Sequence, residues 1–131
     1  PTAVPTPAAG QPPRTPLRIV ALFFDGEEPQ REGDEYIELT NVSTETVFLT
    51  GWRIVSVQGP QTYTFPDGTR MDAGQTCRVY TDEVHPEHCG LSWGSDAQAI
   101  WANAGDKAEI YDAGGRLIDW YCYGNREGEC R

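Results

Sequence analysis

Residues 35–54 read EYIELTNVSTETVFLTGWRI and hold three short extended runs separated by turn residues. In the first run Tyr36, Ile37 and Leu39 interleave with Glu38 and Thr40, the pattern of a strand with one dry face. Asn41, Val42 and Ser43 break it, because Asn and Ser side chains can bond their own backbone two residues on. Thr46, Val47, Phe48 and Leu49 form a β-branched and aromatic run, and Gly51 ends it. From Trp52 the period of two returns, with Trp52, Ile54 and Ser56 on one side and Arg53, Val55 and Val57 on the other. Three strands in so short a stretch, with no helical spacing, predict an all-β protein with an immunoglobulin-like β-sandwich meander and no substantial helix.

The flanking sequence repeats this grammar. Residues 17–24, LRIVALFF, read as a first strand whose near-continuous apolarity predicts burial partly on both faces. Gly59 and Pro60 turn the chain into the alternating run at 61–65, Met71 follows the next turn, and residues 77–81 form a seventh short strand if all of these pair. Residues 82–94 read as loop. Ala108 to Tyr111, the turn at 112–115 and Leu117 to Tyr121 read as a closing hairpin.

The totals suit one domain of 131 residues. Formal net charge is −10, with all 20 acids at or after Asp25 and a single lysine, Lys107. No basic patch can be assembled from such a surface, which argues against binding nucleic acid through its phosphates. No apolar run approaches the roughly 20 residues of a spanning helix. Residues 1–16, PTAVPTPAAGQPPRTP, contain six prolines and no acid. They are expected to be a Pro/Ala/Thr-rich linker before a domain at 17–131. A chain that starts at Pro1 with a stiff spacer is expected to be the C-terminal part of a larger exported protein.

Four cysteines, Cys77, Cys89, Cys122 and Cys130, leave three connectivities open. Their spacing favours the two local bridges, Cys77–Cys89 and Cys122–Cys130, and an oxidising, extracellular or cell-surface setting. Cys77, His85, His88 and Cys89 also offer two sulfurs and two imidazoles, which zinc accepts tetrahedrally. The familiar ligand spacing is missing and the disulfide uses the same sulfurs, so no metal site is assigned there.

At this point the strings EYIELTN, LTGWRI, YTFPDGTRMDAGQ and IWANAGDKAEIYDAGGRLIDWYCY, in that order, resemble the lamin tail domain family in its bacterial branch. The resemblance covers residues 17 to 123. It implies the family's immunoglobulin-like sandwich and an accessory role on secreted or surface proteins, often beside a hydrolase. It brings no catalytic residues. Nuclear lamin tails engage DNA and protein partners, and the acidity of this chain departs from them.

Residues 90–94, GLSWG, match the G-x-S-x-G elbow of serine hydrolases. That motif needs a helix after the serine and a later histidine, whereas His85 and His88 both precede Ser92. The glycines read as turns beside a packing tryptophan. Asp25, Glu27, Glu28, Glu32, Asp34 and Glu35 could offer oxygens to calcium, without the alternate-position pattern of an EF-hand. They read as a solvated acidic face, with calcium at residues 25–35 the weaker expectation. The triplet at Asn41 to Ser43 fits N-glycosylation, but its turn role suffices.

Among the tryptophans, Trp52 alternates with Ile54 and Trp120 with Ile118, so both are expected in the core. Trp93 and Trp101 have loop flanks and divide evenly between core and surface. The sequence therefore points to a non-catalytic attachment or protein-interaction module of a secreted or surface-associated multidomain protein. Its partner would be a protein or cell-surface component, met by the loops at 25–34 and 82–95. The alternative is a carbohydrate-binding module that uses Trp93 and Trp101.

Overall fold

The structure, a computed structural model, describes residues 16–24, 34–58, 60–94 and 100–130. Ten strands appear among them. The first sheet contains β1 (Leu17–Phe23), β2 (Tyr36–Asn41), β7 (Thr76–Tyr80) and β8 (Leu91–Ser92), in the order β1-β2-β7-β8. The second contains β4 (Arg53–Ser56), β5 (Gln61–Thr64), β9 (Gly105–Tyr111) and β10 (Leu117–Gly124), in the order β10-β9-β4-β5. A two-stranded antiparallel sheet of β3 (Val47–Phe48) and β6 (Arg70–Met71) forms a third unit. All pairings are antiparallel except β7 with β8. The helical elements among the described residues are two short 3-10 turns, Pro86–His88 and Glu127–Cys130. The expected immunoglobulin-like sandwich is what the chain forms.

Strict alternation places the core. On β2, Ile37 and Leu39 are fully buried while Tyr36, Glu38 and Thr40 lie between them on the other face. On β4, Ile54 and Ser56 point inward as their period predicts, and Trp52 just ahead of the strand is buried with them. Ala108 and Ile110 of β9 complete the facing layer. Each such aliphatic side chain contributes about 1.5–3 kcal/mol by leaving water.

Two expectations fail at β-bulges. In β1 the register shifts between Ile19 and Ala21, and Val20 is left 47% exposed. The strand is an edge strand, buried on one face rather than on two. In β10 the register shifts between Leu117 and Asp119, so Ile118 and Asp119 are both buried. That extra residue flips the phase of everything after it. Trp120 consequently leaves the core and sits half-buried opposite Glu109, with the Lys107 ammonium 5.1 Å from its ring centre.

The two bulged edges meet. The Asp119 carboxylate accepts the Ile19 backbone N–H at 2.8 Å and the Arg18 guanidinium at 3.2 Å. A side chain of one sheet thus satisfies an edge amide of the other, which would otherwise offer itself to another chain.

Asn41 closes β2 with no exposed surface. Its amide nitrogen donates to the carbonyls of Glu45 (2.8 Å) and Met71 (2.9 Å), and its oxygen accepts from the Ser43 N–H and hydroxyl. The turn reading of the Asn-Val-Ser triplet holds, and the side chain is fully used. Asn41→Ala should lower stability by about 2–3 kcal/mol, because it strands buried polar groups. Chemical denaturation should show a lower midpoint at unchanged slope; a change within about 0.5 kcal/mol, the range of ordinary surface substitutions, would contradict this role.

Candidate functional site

Residues 100–104 cross between the sheets without forming a strand, yet Ile100 and Trp101 are 2% and 1% exposed. Their backbone groups therefore need partners from elsewhere. Glu35, fully buried one residue ahead of β2, supplies the first: its Oε1 accepts the Ile100 N–H (3.0 Å), the Trp101 N–H (3.4 Å) and the Thr81 hydroxyl (3.0 Å). Asp106, also fully buried, supplies the second. Its Oδ1 accepts the N–H groups of Gln58 and Lys107, and its Oδ2 accepts the Ala102 N–H. The Ser56 hydroxyl lies 2.7 Å from Asp106 Oδ2 and 2.9 Å from the Ile100 carbonyl, and its single proton serves one at a time. Tyr123 donates its hydroxyl to the Ala102 carbonyl at 2.7 Å. A side chain at Gly105 would collide with Asn125, so the chain can enter β9 here only as glycine.

These carboxylates look like catalytic acids only when read apart from their partners. Each accepts several hydrogen bonds from the fold's own backbone, an arrangement that holds a segment in place. Their negative charge acts on Tyr123. Burial first, then the charges of Asp106 and Glu35, push its phenol well above the usual 10.0. Burial raises Tyr63 to about 12.

Trp101 is in the core, so its ring has no face to offer a sugar. The even division made from its flanks resolves to packing, because Glu35 draws its backbone inward. Trp93 is half-buried, edge-on to Trp101 at 5.7 Å and tilted against Tyr63 at 5.5 Å. The solvent-facing tryptophan that spacing missed is Trp120. It shares the outer face of the second sheet with Lys107, whose ammonium lies 3.3 Å from Glu109, and with Tyr111, which donates to Glu109 at 2.9 Å. No signal in the sequence marks the bulge at Ile118.

Both cysteine pairs are joined as their spacing favoured, Cys77–Cys89 and Cys122–Cys130. The first consumes the sulfurs a zinc site would need and pins the 82–89 loop to β7. The second ties the terminal 3-10 turn to β10. Each closure is worth about 2–4 kcal/mol on a chain-entropy account.

Ser92 lies in β8, paired parallel to β7, and its Oγ accepts the Gly94 N–H. Both ring nitrogens of His85 are taken by Glu83 and Glu87, not by Ser92. The elbow motif is a strand and a turn. Among the described residues no His, Cys, Asp and Glu side chains cluster as metal ligands do. The acidic loop divides: Asp25, Glu27, Glu28 and Glu32 lie outside the described residues, and Glu35 turns into the core and leaves any calcium shell. No helix among the described residues is long and apolar enough to cross a membrane.

Compared with known families, residues 11–125 match the Lamin Tail Domain. No curated protein matches the chain.

Trp101→Ala should cost about 3–5 kcal/mol, the range for deleting a buried large ring, read from denaturation midpoints; a loss below about 1 kcal/mol would place the ring at the surface. A second expectation concerns alkali. A phenol whose folded value is raised adds stability that is complete below the unfolded value and fades as pH climbs toward the folded one. Stability should therefore fall above pH 10, the usual phenol value, with a shallower fall in Tyr123→Phe. Equal slopes in the two proteins would remove Tyr123 from this role.

Proposed function

This chain belongs to the lamin tail domain family, and on that premise we propose that it is a non-catalytic attachment module of a secreted or surface-associated multidomain protein. Its partner is a protein or cell-surface component. The family is one of protein-interaction, immunoglobulin-like domains. The observation that carries the reading is the fate of the buried acids. Glu35, Asp106 and Asp119 are each spent on backbone N–H groups, which leaves recognition to loops and outer sheet faces. Two disulfides support an oxidising compartment. The proline-rich residues 1–16 are its tether to a neighbouring domain. Acidity disfavours nucleic acid as a partner.

The test is retention of the purified domain on a panel of cellulose, chitin, peptidoglycan, double-stranded DNA and cell-envelope protein. Saturable retention by envelope protein alone, competed by free domain, is the expected result. Retention on a polysaccharide that is lost in Trp93→Ala would make the carbohydrate reading correct instead. Retention on DNA would overturn the charge argument.

A further inference from the structure

We propose that the segment joining β7 to β8 is a pH-sensitive latch, locked while the His85 imidazole is protonated and loosened when it is neutral. The geometry is specific. His85 Nε2 lies 2.7 Å from Glu83 Oε1, and His85 Nδ1 lies 3.1 Å from Glu87 Oε2. A neutral imidazole carries one N–H and can donate to one carboxylate only. Its other nitrogen would then turn a lone pair toward the second carboxylate. Only the imidazolium donates to both, so this pair of distances suits the charged ring.

The ring is also placed to report on its segment. It lies against the ring of Tyr80 of β7, tilted by 34° with centroids 4.1 Å apart. The His85 carbonyl accepts the N–H of His88 (2.8 Å), which opens the 3-10 turn, and the N–H of Gly90 (2.9 Å) just beyond it. Cys89, bonded to Cys77, ends that turn in a left-handed conformation at φ 84°. One end of the segment leaves β7 and the other is held by the disulfide, and Glu83, His85 and Glu87 add side-chain contacts between them to the turn's own backbone bonds. From there the chain runs into β8, whose pairing with β7 consists of two residues and the Trp93 N–H bond to the Tyr80 carbonyl.

The charges around the ring favour this behaviour. Glu83 and Glu87 face it from its own segment, and His88 stands 6.3 Å away. On the β7 side the nearest cation is Arg78, which donates to the far hydroxyl of Tyr80 and is paired with Glu38. Hydrogen bonds donated to Glu83 and then to Glu87 hold the His85 value above the usual 6.5, and Glu87 is lowered by its own backbone N–H first and by His85 second. The sign follows. The latch contributes in full below pH 6.5 and is lost as pH rises through the raised folded value.

The test is an NMR titration of the full chain, following the His85 ring with His88 as reference, together with hydrogen exchange at the Gly90 and His88 amides. His85 should titrate above 6.5. Protection of the two amides, corrected for intrinsic rates, should fall several-fold between about pH 5.5 and about pH 8.5, where imidazole changes charge. In Glu83→Gln and Glu87→Gln the titration should move down and the pH contrast should shrink. Titration at or below 6.5, or protection indifferent to pH across the His85 transition, would overturn the latch.

Discussion

The sandwich depends on how it treats one irregular crossing. Residues 100–104 pass between the sheets with Ile100 and Trp101 sealed from water, and an unpaired buried amide costs as much as a lost hydrogen bond. Glu35 from the first sheet's side and Asp106 from the second's reach the same short segment. Because each carboxylate also binds its own neighbourhood, through Thr81 for one and Gln58 and Ser56 for the other, the crossing joins the two layers. Trp101 fills the space this creates. Polar and apolar packing are here one event, since the ring can be buried only if its amide is met.

The rest of the molecule solves similar accounting problems with local devices. Asp119 meets an edge amide of β1 across the sheet boundary, and Asn41 meets two carbonyls where β2 ends. The disulfides hold what the sheets do not reach: the loop after β7 and the chain after β10. Such a fold uses its acids inside and its loops outside. Its other acids remain numerous, which keeps the net charge at −10.

Much of this was legible in the sequence because strand periodicity is a local property. The alternation through Trp52, Ile54 and Ser56 and the local cysteine spacings translate directly into one buried face and two short bridges. What was illegible depends on register or on distant partners. A single extra residue, Ile118, carried Trp120 out of the core and Asp119 into it, and nothing in LIDWY announces a bulge. Glu35 reads as the last acid of a charged loop, since the amides that need it lie 65 and 66 residues away. Leu91 and Ser92 read as loop because a two-residue parallel strand has no periodicity to show. Trp101 was undecidable from its flanks for the same reason as Glu35: its burial is fixed by a partner the local sequence does not contain.

Two buried carboxylates hold this irregular segment as firmly as the strands around it are held. Native-state hydrogen exchange can compare the Ile100, Trp101 and Ala102 amides with those of Ile54 and Ile110. All are expected to exchange only through global unfolding, with the same dependence on denaturant. Exchange of the crossing amides through small local openings, while the strand amides stay protected, would contradict it.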